Sequence, residues 1–247
     1  MTHPSVERHN EELARARKVW ETKPLLRRAY ADLRERFRPH LRREAPGGLL
    51  EIGSGLGAMK ETFPDVLTTD LFPNPNIDAV ASAYALPVED QSLSNILLVD
   101  VWHHLERPLA FLNDARRALR PGGRVLMIEP DLSLAARVVY GPLHPEPIGQ
   151  PEQVDLQESP PERPGYVAYQ GLAHWCFVQK RLDFWAKDWR LVHLQRFACG
   201  AYWATGGFSR PGLKAPSSYR ALNTIDRWVS RLPALFSGRV LIVLERG

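Results

Sequence analysis

Cysteine is scarce in this sequence. Cys176 and Cys199 are the only two among 247 residues, so no disulfide framework exists, which fits a reducing compartment. Each thiol reads as a small buried apolar group rather than a nucleophile. Long hydrophobic runs are missing as well. No stretch approaches the ~18 apolar residues of a membrane span. The polar opening Met1-Thr2-His3-Pro4 carries no secretory signal. Together these absences predict a cytoplasmic protein. Excess charge of one sign is also small, at +4, and no nucleic-acid partner is expected. No internal repeat or low-complexity tract interrupts the chain.

What is present is ordinary in bulk and specific in detail. A hydrophobic share of 44% and a charged share of 24% suit a globular chain with a substantial core. Its length allows one or two domains. Residues 1–45 hold 12 Lys and Arg against 7 Asp and Glu, which is the whole positive excess. Val19, Trp20, Leu25, Leu26, Tyr30, Leu33, Phe37 and Leu41 recur there at helical steps, and Pro24 suits the first turn of a second helix. This predicts a basic helical cap over residues 1–45, with Trp20 and Tyr30 in its core. A solvated helical face accounts for the charge; weak contact with an anionic membrane surface is the sharper alternative.

The chain is organised around Leu49-Leu50-Glu51-Ile52-Gly53-Ser54-Gly55-Leu56-Gly57. Leu49, Leu50 and Ile52 give the apolar run of a strand covered on both faces. Gly53, Gly55 and Gly57 permit a sharp turn and a close backbone approach to a ligand. The turn also fits the dinucleotide fingerprint G-x-G-x-x-G/A, and a plain structural strand–turn–helix remains open. Glu51 places a carboxylate inside the strand, where it is costly without a partner; a ligand ammonium would be one. Asp70 follows the next apolar run, Val66 to Thr69, where an acid can accept both hydroxyls of a ribose.

On these residues the chain resembles the class I S-adenosylmethionine-dependent methyltransferases of the type 11 group, most closely from about Gly48 to Pro130. The resemblance implies an α/β, Rossmann-like fold: a seven-stranded, mostly parallel sheet with an antiparallel last strand and helices on both faces. It implies a methyltransferase domain over residues 46–247 acting on a small-molecule acceptor. The cofactor S-adenosylmethionine would then be held by Glu51, Gly53, Ser54, Gly55, Gly57, Asp70, Leu71, Ser82, Ala83 and Asp100. Ser82 stands where the family usually has an aspartate facing adenine. A neutral acceptor there is weaker than a charged one.

Further along, Asp100-Val101-Trp102-His103-His104-Leu105 follows the apolar strand Asn95 to Val99, and ligands bind outside the carboxyl ends of such strands. The segment is similar to the family's Asp-Val-Leu-His-His-Leu. His103 and His104 are the candidate catalytic residues, since imidazole can take a proton near neutral pH. His144 and His174, the next possible ligands, stand on separate irregular segments without ligand spacing, so no metal site is expected.

Arg107 to Arg120 predicts an amphipathic helix, and Arg124 to Ile128 a fifth strand that ends on Glu129 and Asp131, both open to substrate contact or helix capping. Residues 141–187 form a proline-rich, then aromatic-rich insert. Its Tyr166, Tyr169, Trp175, Phe177, Phe184 and Trp185 suit either an apolar acceptor or packing on the sheet, with a helix expected over Cys176 to Lys187. Trp189 to Leu194 and Gly238 to Arg246 predict the last two strands, and the resemblance implies that the final one lies beside the fifth. Two other readings compete: a nicotinamide-dependent oxidoreductase, against which Glu51 and the His103-His104 segment argue, and a catalytically silent cofactor-binding partner protein.

Overall fold

Strand β1 (Gly48–Ile52) and strand β4 (Leu93–Val99) lie side by side and parallel in the middle of the sheet, with Leu50 opposite Ile96 and Ile52 opposite Leu98. A computed structural model describes residues 4–44, 47–165 and 167–247 of the chain. Ala45 and Pro46 of the expected linker, Tyr166 of the aromatic cluster and the first three residues lie outside the described residues. On the far side of β1 come β2 (Leu67–Asp70) and the two-residue β3 (Ala79–Val80). On the far side of β4 comes β5 (Leu119–Pro130), also parallel.

The full order is β3-β2-β1-β4-β5-β7-β6. β7 (Ser237–Arg246) sits between β5 and β6 (Trp189–Ala198) and runs antiparallel to both. The other six strands therefore share one direction. Nine of the ten β7 residues are buried, as expected of a strand with neighbours on both edges and layers on both faces. The expected fold, down to the reversed last strand beside the fifth, is the fold observed.

Between β1 and β4 the order in which strands are added switches from one side of the sheet to the other. In open α/β sheets such a switch point leaves a crevice beyond the strand ends. The glycine turn leaves β1 there and the Asp100–His104 segment leaves β4 there. The two are in direct contact: a Cβ placed on Gly53 would lie 2.6 Å from Val101 Cγ2.

Two helices, α1 (Pro4–Thr22) and α2 (Pro24–Glu35), precede the sheet. Pro24 starts α2 as expected, and Leu25, Leu26, Ala29 and Leu33 bury its apolar face. After the glycine turn only a four-residue 3-10 turn, Ala58–Glu61, follows, in keeping with the short segment available before Pro64. Helix α3 (Pro108–Ala118) packs Phe111, Leu112 and Ala115 into the core. Helix α4 (Leu134–Tyr140) is capped by the Ser133 hydroxyl, which accepts from the Ala136 N–H at 3.1 Å. Neither Glu129 nor Asp131 caps it. Beyond β6 come α5 (Gly200–Ala204), α6 (Pro216–Val229) and α7 (Pro233–Phe236).

One expected helix is broken. Residues 176–187 form no continuous helix. A π-helical turn, His174–Val178, and a 3-10 turn, Phe184–Lys187, flank a bend in which Lys180 takes φ +53°. A residue in the left-handed region ends a right-handed helix. The break lets Trp175, Phe177 and Trp185 all enter the core from different sides.

Candidate active site

The glycine turn is fixed to the end of β2. The Ser54 hydroxyl accepts from the Thr69 N–H at 3.1 Å, and the Thr69 hydroxyl donates to the Glu51 carbonyl at 2.8 Å. This brings Asp70 alongside, where its Oδ2 accepts the Gly55 N–H at 2.8 Å. Gly53, Gly55 and Gly57 all take positive φ, between 50° and 68°. A Cβ on Gly57 would come within 2.3 Å of the Asn76 carbonyl oxygen, so a side chain is excluded there on two grounds.

Above the turn lies a cavity of about 220 Å³, lined by Glu51, Gly53, Ser54 and Gly55 from below. Leu13, Ala16 and Trp20 of α1 and Tyr30 of α2 wall it from above. Trp20 is thus a half-buried cavity wall rather than the core residue expected, while Tyr30 walls the cavity and also packs against the buried cluster that holds Leu33 and Phe37, as expected. The reason is that the apolar face of α1 rests over the crevice rather than on the sheet. Glu51 is buried, and its Oε2 has no hydrogen-bond partner in the structure. Burial raises its carboxyl to about 7, with the Ser54 hydroxyl and the Arg34 charge pulling partly back. An orphaned buried carboxylate oxygen at a cavity wall suits a cationic ligand group.

A second cavity, of about 500 Å³, opens on the other side of Asp100. Tyr140, Tyr202, Trp203 and Phe208 supply aromatic walls, and His103, Glu146, Gln170 and Arg239 supply polar ones. The two cavities share Tyr30, Asp100 and Phe208. Asp100 takes φ +59°, which turns its carboxylate into the junction. There it pairs with the buried guanidinium of Arg239 and lies 3.3 Å from the Tyr30 hydroxyl. Burial alone would raise the Asp100 carboxyl, but Arg239 and then His103 outweigh it and hold it below its ordinary value.

His103 reaches the larger cavity because of Glu129. That carboxylate is fully buried at the end of β5. Its Oε1 accepts the N–H groups of Val101 and Trp102 at 2.9 and 2.8 Å, and its Oε2 meets His103 Nδ1 at 2.7 Å. Burial works against protonation of His103, but the Glu129 hydrogen bond and charge, with Asp100 and Glu146, raise it above its ordinary value. His104 differs. Its Nδ1 meets the Val167 carbonyl at 2.8 Å, and it does not line the cavity. Burial and then the His103 charge lower it.

Of the residues expected at the cofactor, Glu51, Gly53, Ser54, Gly55 and Asp100 line the smaller cavity, and Gly57 and Asp70 stand beside its floor. Asp70 Oδ1 is 3.9 Å from His9 Nε2 of α1. Leu71, Ser82 and Ala83 line neither cavity. The Ser82 hydroxyl accepts the Tyr84 N–H at 3.2 Å within its own turn. Glu129 and Asp131 are wholly buried and line neither cavity; Glu129 orients His103. Asp131 meets His174 Nδ1 at 2.6 Å and Arg196 at 2.7 Å. The aromatic insert packs mostly on the sheet, so the walls of the larger cavity come from Tyr140, Tyr202, Trp203 and Phe208 instead. An arginine opening an otherwise apolar strand, Arg239 before Val240 to Leu244, was the one sequence signal for its buried role. Glu146 and Gln170 carry no such signal.

The fold has counterparts among known proteins. A family model described as a methyltransferase domain matches residues 23–197. No curated protein sequence matches the chain. Among solved structures, the chain is similar to a SAM-dependent methyltransferase from Archaeoglobus fulgidus, with TM-score 0.54 and 15% identity over 89% of this chain and 94% of that one. It is also similar to geranyl diphosphate C-methyltransferase from Streptomyces coelicolor A3(2), solved with Mg2+, geranyl diphosphate and S-adenosyl-L-homocysteine. The TM-score there is 0.50, with 12% identity over 87% of this chain and 77% of that one.

Proposed function

The chain belongs to the family of methyltransferase domains, and from that premise we propose that it transfers a methyl group from S-adenosylmethionine to a small acceptor held in the larger cavity. The observation that carries the reading is the meeting of two unlike cavities at Asp100, Tyr30 and Phe208. One is floored by a glycine turn and an orphaned carboxylate; the other is aromatic and holds an oriented imidazole. The residues present fit the donor. Glu51 Oε2 lacks a partner where an ammonium group would need one, and Gly53 and Gly55 leave room for a ligand against the backbone beside it. Glu51 would hold the amino-acid end, and Asp70 would hold the ribose once His9 moves aside. When bound, S-adenosylmethionine supplies a methyl group activated by its sulfonium.

The protein's own part is orientation and proton handling. Confining the acceptor next to the donor can contribute about 7–11 kcal/mol through proximity alone. Glu129 holds the Nδ1 proton of His103 and leaves Nε2 facing the acceptor cavity. A hydroxyl acceptor would give its proton to that nitrogen as the new bond forms. The aromatic walls favour an acceptor with a flat or apolar body.

Calorimetric titration with S-adenosylmethionine, S-adenosylhomocysteine and NAD side by side tests the reading. Micromolar binding of the first two and none of the third is expected. Binding of NAD alone would overturn it. A chain that binds the donor but releases no S-adenosylhomocysteine with any phenol or amine in a broad panel would be a silent binding protein.

A further inference from the structure

His103 and His104 are neighbours whose rings lie 4.0 Å apart, centroid to centroid, at 42°. Each spends Nδ1 on an acceptor, His103 on the Glu129 carboxylate and His104 on the Val167 carbonyl. A carbonyl can only accept, so His104 Nδ1 carries the proton. The Glu129 carboxylate, which already accepts two backbone N–H groups, accepts from Nδ1 as well and so selects the same tautomer for His103. In the neutral rings both lone pairs therefore sit on Nε2. A third donor comes from a distant part of the chain. Glu146 Oε2 is 3.9 Å from His103 Nε2, and the Gln170 amide donates to the same carboxylate. One ligand atom from each of His103, His104 and Glu146 lies within 4.8 Å of the other two.

Two imidazoles and a carboxylate form a donor set for zinc-class ions, since imidazole favours these over magnesium or calcium. Each ligand also has the outer partner that metal ligands usually have: Glu129 and Val167 for the histidines, Gln170 for the glutamate. We propose that His103, His104 and Glu146 bind a divalent transition-metal ion of the zinc class. With bonds of about 2.0–2.1 Å, tetrahedral ligand atoms stand about 3.3 Å apart, so Glu146 must close in. It lies in the irregular segment between α4 and the 3-10 turn Pro151–Gln153 and can move without disturbing the sheet. His103 and Glu146 both line the larger cavity, which leaves the fourth position to water or to an acceptor atom. The alternative grouping of Asp100, His103 and Glu129 is a poorer site, because Arg239 and the backbone N–H groups already occupy its carboxylates.

The site has a consequence that, unlike the site itself, rests on the methyl-transfer reading. A bound ion takes the Nε2 lone pair that the acceptor's proton would need, so the filled site excludes His103 as a base.

The test is Zn2+ titration of tag-free, chelator-stripped protein by calorimetry, with bound metal counted after dialysis. About one Zn2+ per chain is expected, with no binding of Mg2+ at equal concentration. Glu146→Gln and His104→Gln should each weaken Zn2+ at least about tenfold, while far-ultraviolet circular dichroism and the melting temperature show the variants folded. Equal zinc affinity in all three proteins, or Mg2+ bound as tightly as Zn2+, would overturn the site. S-adenosylhomocysteine titration of the same samples separates the two claims. Zinc binding without S-adenosylhomocysteine binding keeps the site and defeats the methyltransferase reading; the reverse keeps that reading and defeats the site.

Discussion

At the scale of single residues, Glu51 and His103 are the two groups whose chemistry the fold alters most usefully. Burial brings the Glu51 carboxyl from 4.5 to about 7, so the folded chain holds this proton more tightly than the unfolded one. The group's contribution to stability is therefore full below about pH 4.5 and is lost as pH rises through about 7. A ligand ammonium reverses that loss by pairing with the ionised form. Affinity for S-adenosylmethionine should rise with pH up to about 7, then fall again above about 8 as the ligand's own amino group deprotonates. Calorimetry across this range checks it. Glu51→Gln should flatten the acid limb; a flat profile in the unaltered protein would take Glu51 away from the ammonium. For His103, Gln substitution should lower turnover of a hydroxyl acceptor by about 10²–10⁴-fold, with donor affinity nearly unchanged because Glu51 and the glycine turn stand apart from it. Normal turnover in folded His103→Gln would leave proximity as the main source of rate.

Among the elements, the loop Gly206–Arg210 supplies one of the residues that both cavities share, Phe208. Its Phe208 stacks on Trp20 at 6.3 Å and 13°, and also meets Tyr30. The Lys23 ammonium, between α1 and α2, fastens the loop by donating to the carbonyls of Thr205 at 3.2 Å, Gly207 at 2.7 Å and Arg210. Lys23→Met should weaken donor binding about tenfold, the order expected from about 1.5 kcal/mol of lost charged hydrogen bonding. It should also speed proteolytic cutting at this glycine-rich loop. Unchanged affinity and unchanged cutting would show that the loop is held by its aromatic contacts alone. The site was only partly legible in the sequence for a related reason. Glu51, the glycines and Asp70 lie on one short continuous stretch, with spacing set by the strand and turn they form. Tyr202, Phe208, Glu146 and Arg239 reach the site through tertiary packing, from α5, the loop after it, an irregular segment and β7, and of these only Arg239, a charge before the apolar run Val240 to Leu244, carries a sequence signal. The short 3-10 turn after Gly57 was legible because Pro64 limits it; the break at Lys180 was not, because a lysine gives no sign of a left-handed backbone.

For the molecule as a whole, the donor site couples parts that are far apart in the chain: α1 and α2, the ends of β1 and β4, and the loop after α5. Ligand binding should therefore stabilise the fold cooperatively. At a ligand concentration of about 100 times Kd the gain is about 2.7 kcal/mol. For a chain of this size that raises the melting temperature by roughly 5–10 °C. Differential scanning calorimetry with S-adenosylhomocysteine measures it. A shift confined to a minor, separate transition would mean that the site stabilises only the crevice.

The sheet order was readable only through the family resemblance carried by the glycine turn; the apolar run Val240 to Leu244 by itself announces a buried strand but not its placement between β5 and β6. That placement bears on how the protein is made. Until β7 has emerged from the ribosome, β5 and β6 have no strand between them, and Asp100 has no Arg239 beside it. The nascent chain carries every residue of the glycine turn and the histidine pair while its sheet is still open along one seam. A product terminated just before β7 would keep all the sequence features by which this family is recognised, yet would lack both the centre of the sheet's second half and the cation that sets the charge at the junction of the cavities.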